Sequence, residues 1–351
     1  MKMPVPRLYL GTMTFAWSQS SSRVDEPVAL EMMQQFRQHT EKYYPNQDHY
    51  VDTARIYAGG KTEPVVGAVV DKSNSHELIG TKAHPSQPGG LSAKGIEGQL
   101  QASLDAMGVE KVHEYYLHQP DTEHSLRESL GYLHSKVQDG VIKVVGMSNY
   151  HASEMERAFA ICQEEEWTPP TVYQGLYNPL NRVVEDELLP LLKKHKCQFV
   201  AYNPLAAGLL SGKHTSLENV QKGRFKKNPN YLPRFYTESN FAAVELLRQA
   251  CQAEDIGMVE ATYRWLLNHS ALTADDGVLL GASSLAQLEQ NLQACGSAVD
   301  KGPLPQSVLD AFDEGWKLTK EGAFPYWRSY SSDMPERETL DQGASYEAAK
   351  K

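Results

Sequence analysis

Short apolar runs alternate along this chain with longer stretches whose apolar residues recur at three- and four-residue spacing. That alternation predicts βα units and a parallel sheet. The runs that read as strands are Leu8–Thr14, Tyr50–Thr53, Leu78–Lys82, Val112–His118, Val144–Ser148, Val172–Leu176, Phe199–Tyr202 and Val278–Gly281. Most are rich in Val, Leu, Ile and Tyr and too short to alternate cleanly, as strands buried on both faces are.

Helices are expected between them. Pro27–Thr40 opens with a proline in the first turn, where a missing N–H costs little. Ala93–Met107 runs into Gly108, a C-cap residue. Ser125–Gln138 begins at a Ser with Glu128 three residues on, the pattern of a capping box. His151–Glu166, Glu185–Lys196, Phe241–Ala253, Val259–Asn268 and Leu285–Ala294 complete the series. This strand count predicts an α/β fold, a (β/α)8 TIM barrel formed as one domain over residues 1–330, with its active site at the C-terminal face. A doubly wound sheet is the competitor, but no Gly-x-Gly-x-x-Gly follows the first strand.

Two segments break the rhythm. Gly212–Ser239 is a long loop after the seventh strand, the place for binding work or a lid. The tail, residues 331–351, is polar and charged and is expected to be poorly ordered unless it docks. No internal repeat or interdomain linker is visible.

Composition narrows the function. Hydrophobic residues make up 41% of the 351 and charged residues 22%, an ordinary globular profile. The net charge of −10 argues against a general nucleic-acid partner, though a small basic cleft is compatible with it. The N-terminus has no stretch suited to a signal peptide, and no apolar run is long enough to span a membrane. Cys162, Cys197, Cys251 and Cys295 form no CxxC pair and no zinc-like cluster. Free thiols, a cytoplasmic location and no metal site are expected.

Polar residues at consecutive strand ends carry the candidate chemistry. Asp52 and Tyr57 follow the second strand in VDTARIY, Lys82 ends the third, and His118 ends the fourth. In a parallel barrel these ends meet at one mouth. Reducing a carbonyl requires a hydride to carbon and a proton to oxygen. A phenol such as Tyr57 is neutral at pH 7 and can donate, but needs its phenolate stabilised. Lys82 would do that, with Asp52 holding the ammonium in place. His118 would hydrogen-bond and orient the carbonyl oxygen. The hydride must come from a cofactor, since no side chain supplies one.

These residues resemble the catalytic tetrad of the aldo-keto reductases, and the resemblance runs from Leu8 to about Arg328. It implies roles for further residues. In GMSNY, Ser148 and Asn149 would bind a nicotinamide carboxamide, as would Gln174 in VYQGLYN. In AYNPLAAGLLSGK, Tyr202 would stack on the nicotinamide, with Asn203, Pro204, Leu205, Gly208 and Lys213 lining the same loop. GASSLAQLEQNL, with Gly281, would hold the adenosine 2′-phosphate end. YNPLAAGLLSGK, GRF at Gly223–Phe225, RFY at Arg234–Tyr236 and YWR at Tyr326–Arg328 look like the aflatoxin-aldehyde (succinic semialdehyde) reductase branch. That branch implies NADPH, a homodimer, and dialdehyde, carboxyl-bearing or aromatic aldehyde substrates. The chain departs from it in Lys226–Leu232 and in running on past Arg328. A regulatory subunit of the same fold, or a pathway-specific biosynthetic reductase, is the alternative.

Other residues are read from their own chemistry. Ser283, Ser284, Gln287, Gln290 and Asn291 follow the last strand, where a helix N-terminus makes an anion site; the competing reading is an ordinary cap. Arg224, in a basic patch with Lys213, Lys222, Lys226 and Lys227, suits cofactor phosphates, because a guanidinium grips two oxygens. Arg234 and Arg328 suit a substrate carboxylate. Trp17 and Tyr326 or Trp327 are candidates for the pocket wall. His84 is expected to be a loop histidine, and His113 and His118 to point to opposite faces.

Overall fold

Each strand of the sheet pairs in parallel with the next along the chain, and the last pairs with the first, so the sheet closes into a barrel. The computed structural model describes residues 5–18, 22–45, 47–71, 76–214 and 232–344. The strands are β1 (Arg7–Gly11), β2 (His49–Asp52), β3 (Glu77–Ala83), β4 (Val112–Leu117), β5 (Ile142–Ser148), β6 (Val172–Leu176), β7 (Gln198–Tyr202) and β8 (Gly277–Gly281). Every expected strand is present and β6 has the expected bounds. β1 stops short at Gly11, because Phe15 N–H turns back to the Thr12 carbonyl (2.8 Å).

The helices are α1 (Glu26–Tyr43), α2 (Thr62–Val69), α3 (Ala93–Met107), α4 (Leu126–Gln138), α5 (Ala152–Glu164), α6 (Leu188–Lys194), α7 (Leu232–Phe235), α8 (Glu238–Ala253), α9 (Met258–Asn268), α10 (Leu285–Asp300) and α11 (Gln306–Thr319). Gly108 caps α3 in the left-handed conformation, as expected. The capping box at α4 is only half formed. Ser125 Oγ accepts from Glu128 N–H (3.1 Å), but the Glu128 carboxylate accepts from Ala93 N–H (2.8 Å) at the start of α3. The expected Glu185–Lys196 helix begins later, at Leu188, which leaves Pro190 in the first turn, where its missing N–H is harmless. α2, α7 and α11 were not expected; α7 falls inside the segment read as a long loop. α11 follows Pro303 and Pro305 and packs Gly315 against Ala243 of α8.

One residue from each strand fills the barrel interior: Tyr9, Tyr50, Leu78, Tyr116, Val144, Val172, Val200 and Leu279. Bulky rings fit only because glycines face them. A Cβ on Gly146 would lie 2.3 Å from the Tyr116 ring, and one on Gly277 would lie 2.6 Å from the Tyr9 ring. A carboxylate is buried among these rings. Glu114 accepts from Tyr9 O–H (3.0 Å) on one oxygen and Tyr116 O–H (2.6 Å) on the other. The main apolar core lies outside the strands, between sheet and helices.

The tail docks, at least as far as Ala344. Asp333 accepts from Leu126 N–H (2.8 Å) at the start of α4 and pairs with Arg157 of α5. Glu154 of α5 accepts from Ser331 N–H (2.8 Å). These partners supply the condition that the sequence left open.

Candidate active site

The C-terminal ends of β2, β3 and β4 bring the acidic, basic and imidazole groups together. Lys82 is fully buried; its Nζ donates to Asp52 Oδ1 (2.6 Å) and to the Thr53 carbonyl (2.7 Å). Burial pulls the Lys82 ammonium down from its usual range, while Asp52, Glu114 and Glu63 push it back up. Tyr57 begins a one-turn 3-10 helix, Tyr57–Gly60, and its ring centroid lies 5.3 Å from Lys82 Nζ. The His118 ring meets Tyr57 edge-on at 5.8 Å. The sequence-expected quartet is thus assembled at one mouth.

His118 Nδ1 is buried without a hydrogen-bond partner among the described residues. Burial, reinforced by His84, Lys82 and Arg328, depresses the imidazole well below its usual range, so it is neutral at pH 7. A neutral imidazole can donate one hydrogen bond but is no reservoir of acid. His84 contributes more than its loop position suggested. Its ring lies nearly perpendicular to that of His118 at 5.1 Å, and burial pulls its own pKa down to about 4. The signal was present in the sequence: two residues past Lys82 is the same face of an extended chain.

The residues expected at the nicotinamide end are hydrogen-bonded to this quartet. Gln174 Nε2 donates to Asp52 Oδ1 (2.8 Å). Asn149, in a left-handed conformation, donates to the His118 carbonyl (2.8 Å) and to Ser148 Oγ (2.9 Å), and accepts from Tyr202 O–H (2.8 Å). After β7 the chain passes Asn203, Pro204 and Leu205 into a tight turn with Ala207 and Gly208 at positive φ. Lys213 is exposed at its end. Arg224, Lys222, Lys226 and Lys227 lie outside the described residues.

At the end of β8 the cap reading is realised. Ser284 Oγ accepts from Gln287 N–H (3.3 Å), while Ser283 donates through N–H and Oγ to Gln287 Oε1 (2.8 Å each). Asn291 Nδ2 reaches back to the Gly281 carbonyl (3.3 Å), and Gln290 is exposed. Open space surrounds the position where Gly281 would carry a Cβ.

The substrate candidates separate. Arg328 donates to Gln119 Oε1 (3.0 Å), and its charge acts on both His84 and His118. Arg234 is buried, its guanidinium 4.3 Å over the Phe324 ring. Trp17 sits half-buried in the turn after β1, its N–H on the Thr14 carbonyl (3.3 Å). Tyr326 corrects the expectation of a pocket wall. It is fully buried, donates to Glu187 (2.9 Å), accepts from Ala152 N–H (3.1 Å) and stacks on His151, so it secures the start of α5 instead. Trp327 donates to the Asp341 carbonyl (3.1 Å) in the tail. Among the described residues no cluster of His, Cys, Asp and Glu is suited to a metal ion.

Comparison with known proteins finds relatives along most of the chain. A human protein named aldo-keto reductase family 7 member A3 is 36% identical over 340 residues, 92% of this chain and 97% of its own. Aflatoxin B1 aldehyde reductase member 2 of Mus musculus is 38% identical over 293 residues, 79% of each chain. Oxidoreductase sirO of Leptosphaeria maculans is 32% identical over 328 residues, 92% of this chain and 97% of its own. The aldo/keto reductase family model matches residues 7–315, and the chain belongs to that family.

Proposed function

We propose that the protein reduces aldehydes to alcohols with NADPH, and that Tyr57 donates the proton. The observation that carries this reading is the Lys82 ammonium, held by Asp52 on one side and set against the Tyr57 ring on the other. The mouth suits the cofactor: Ser148, Asn149 and Gln174 offer amide and hydroxyl groups for a carboxamide, and Tyr202 offers a ring at the end of β7. The open space at Gly281, at the N-terminus of α10, suits a phosphate beside Ser283, Ser284, Gln287 and Asn291. When bound, NADPH supplies the hydride.

The remaining work falls to the side chains. Tyr57 gives its proton to the carbonyl oxygen, and Lys82 stabilises the phenolate left behind. Asp52 keeps Lys82 charged in a buried site. Neutral His118 hydrogen-bonds the same oxygen and orients it. Arg328, beside Gln119 and the two imidazoles, favours aldehydes that carry a carboxylate. Arg234 and Trp17 complete the substrate side.

A cytoplasmic homodimer goes with this reading. The supporting observations are that the cysteines are buried thiols and that no described helix is long and apolar enough to cross a membrane; the dimer rests on the branch resemblance.

NADPH oxidation measured with aromatic, carboxylated and uncharged aldehydes, with NADH in parallel, tests the proposal. Tyr57→Phe is expected to lose turnover by about 10²-fold or more while binding NADPH normally. Wild-type turnover in that variant would remove Tyr57 from its role.

A further inference from the structure

The chain does not end at the mouth. After Arg328 it crosses to α4 and α5 and then returns to pair with the segment it left. Arg328 N–H donates to the Asn149 carbonyl (2.9 Å), so one edge of its backbone is fixed to the end of β5. The other edge faces Gly343 in an antiparallel bridge. Ser329 N–H to the Gln342 carbonyl (2.7 Å) and Ala344 N–H to the Trp327 carbonyl (2.9 Å) flank that bridge. Arg328 therefore lies as a short strand between the cofactor-side strand end and the tail.

The excursion between these two pairings is anchored by side chains. The Asp333 carboxylate accepts from Leu126 N–H and takes both terminal nitrogens of Arg157. Burial would raise the Asp333 carboxyl, but Arg157 and the Leu126 N–H outweigh it and hold it below its usual range, so the anchor is charged at neutral pH. Ser332 N–H reaches the Asp121 carbonyl (3.0 Å), and Arg337 reaches the Thr122 carbonyl (2.8 Å). Those two carbonyls belong to the loop after β4 that also carries Gln119, the partner of the Arg328 guanidinium. Gly343 is required for the return: it has φ +65°, and a Cβ there would lie 2.5 Å from Trp327 Nε1.

We propose that the segment Ser329–Ala344 is a clamp that sets substrate specificity: anchored by Asp333 and closed by Gly343, it holds Arg328 ready for a substrate carboxylate. The inference rests on the reading of Arg328 given above. A guanidinium on an untethered chain end must be ordered when the ligand arrives, and fixing that backbone costs conformational entropy. The clamp meets that cost during folding, so its effect belongs in the affinity for carboxylated aldehydes. Asp333 is a positioning residue, acting through Arg328 and touching neither substrate nor cofactor.

The test compares a short aldehyde bearing a carboxylate with its uncharged methyl ester. Asp333→Ala should raise KM for the carboxylate on the order of ten-fold. The ester KM, kcat on both substrates and NADPH affinity by fluorescence should change little. Gly343→Val opens the clamp from its other end, leaves the Asp333–Arg157 pair in place, and should give the same selective rise. Combining Asp333→Ala with Arg328→Ala should add nothing to Arg328→Ala alone. An equal KM rise on acid and ester, or none with either clamp variant while Arg328→Ala does raise KM for the acid, overturns the clamp alone. No effect of Arg328→Ala overturns the clamp together with the carboxylate reading.

Discussion

Two buried carboxylates sit in one barrel, both in register with Gly80 of β3, in opposite company. Glu114, on the interior face among Tyr9 and Tyr116, receives a neutral hydroxyl on each oxygen. Burial pushes its carboxyl up to about 7, with the two hydroxyls only partly offsetting this. Asp52, at the mouth, receives an ammonium and an amide, from Lys82 and Gln174. The interior network is closed by neutral partners and has no side facing a ligand. The mouth network carries charge and lies beside His118, whose Nδ1 has no hydrogen-bond partner among the described residues. Buried polar groups that are fully satisfied by their own fold specify structure, whereas an unsatisfied one at a charged mouth marks where a ligand belongs.

The largest expected effect breaks the mouth. Lys82→Met should cost about 10²-fold or more in turnover and about 3–5 kcal/mol of stability, because Asp52 is left buried without its cation. Adding Asp52→Asn should recover much of the stability and none of the turnover, measured by urea unfolding and NADPH oxidation on the same samples. If turnover returned with stability, the pair would be structural only, and the contrast with Glu114 would collapse.

The next effect breaks the interior. Gly146→Ala forces a methyl against the Tyr116 ring that lies between Glu114 and Lys82. The expected loss is about 1–3 kcal/mol in unfolding free energy. A fully stable variant would show that the interior is loosely packed.

A further effect sharpens the comparison through pH. Glu114 and Glu154 are both raised by burial, each to about 7. A carboxyl with a raised folded-state pKa contributes stability below its unfolded value, near 4.5. That stability is lost as pH rises toward 7. Stability should therefore fall between about pH 5 and about pH 7, by up to roughly 1.4 kcal/mol per pH unit for each group. Glu114→Gln should remove part of that slope in urea midpoints taken at successive pH values. An unchanged slope would mean that Glu114 is not the group titrating.

Much of this was legible in the sequence, for local reasons. Strands buried on both faces are short apolar runs, so all of them could be read from composition and spacing. Asp52, Lys82 and His118 stand at or next to strand ends, where the barrel rule alone brings them together. Other features required contacts that no local pattern encodes. Glu128 matches a capping box but bonds across to α3. Tyr326 reads as a pocket aromatic two residues from Arg328, yet its ring is buried over α5, where its hydroxyl accepts from Ala152 N–H. α11 was hidden behind two prolines, although Val308, Leu309, Phe312 and Trp316 carry helical spacing.

The sequence by itself determined the barrel, the order of its strands and the residue types at its mouth, because these follow from periodicity and from which strand each residue ends. Tertiary structure decided which polar groups meet. It set Glu114 among tyrosines, turned His84 toward His118 and docked a polar tail through Asp333. The physical reason is that a charged or polar group gains little from its neighbours in the chain. Its free energy is fixed by burial and by the partner across the fold, and both exist only once the barrel has closed.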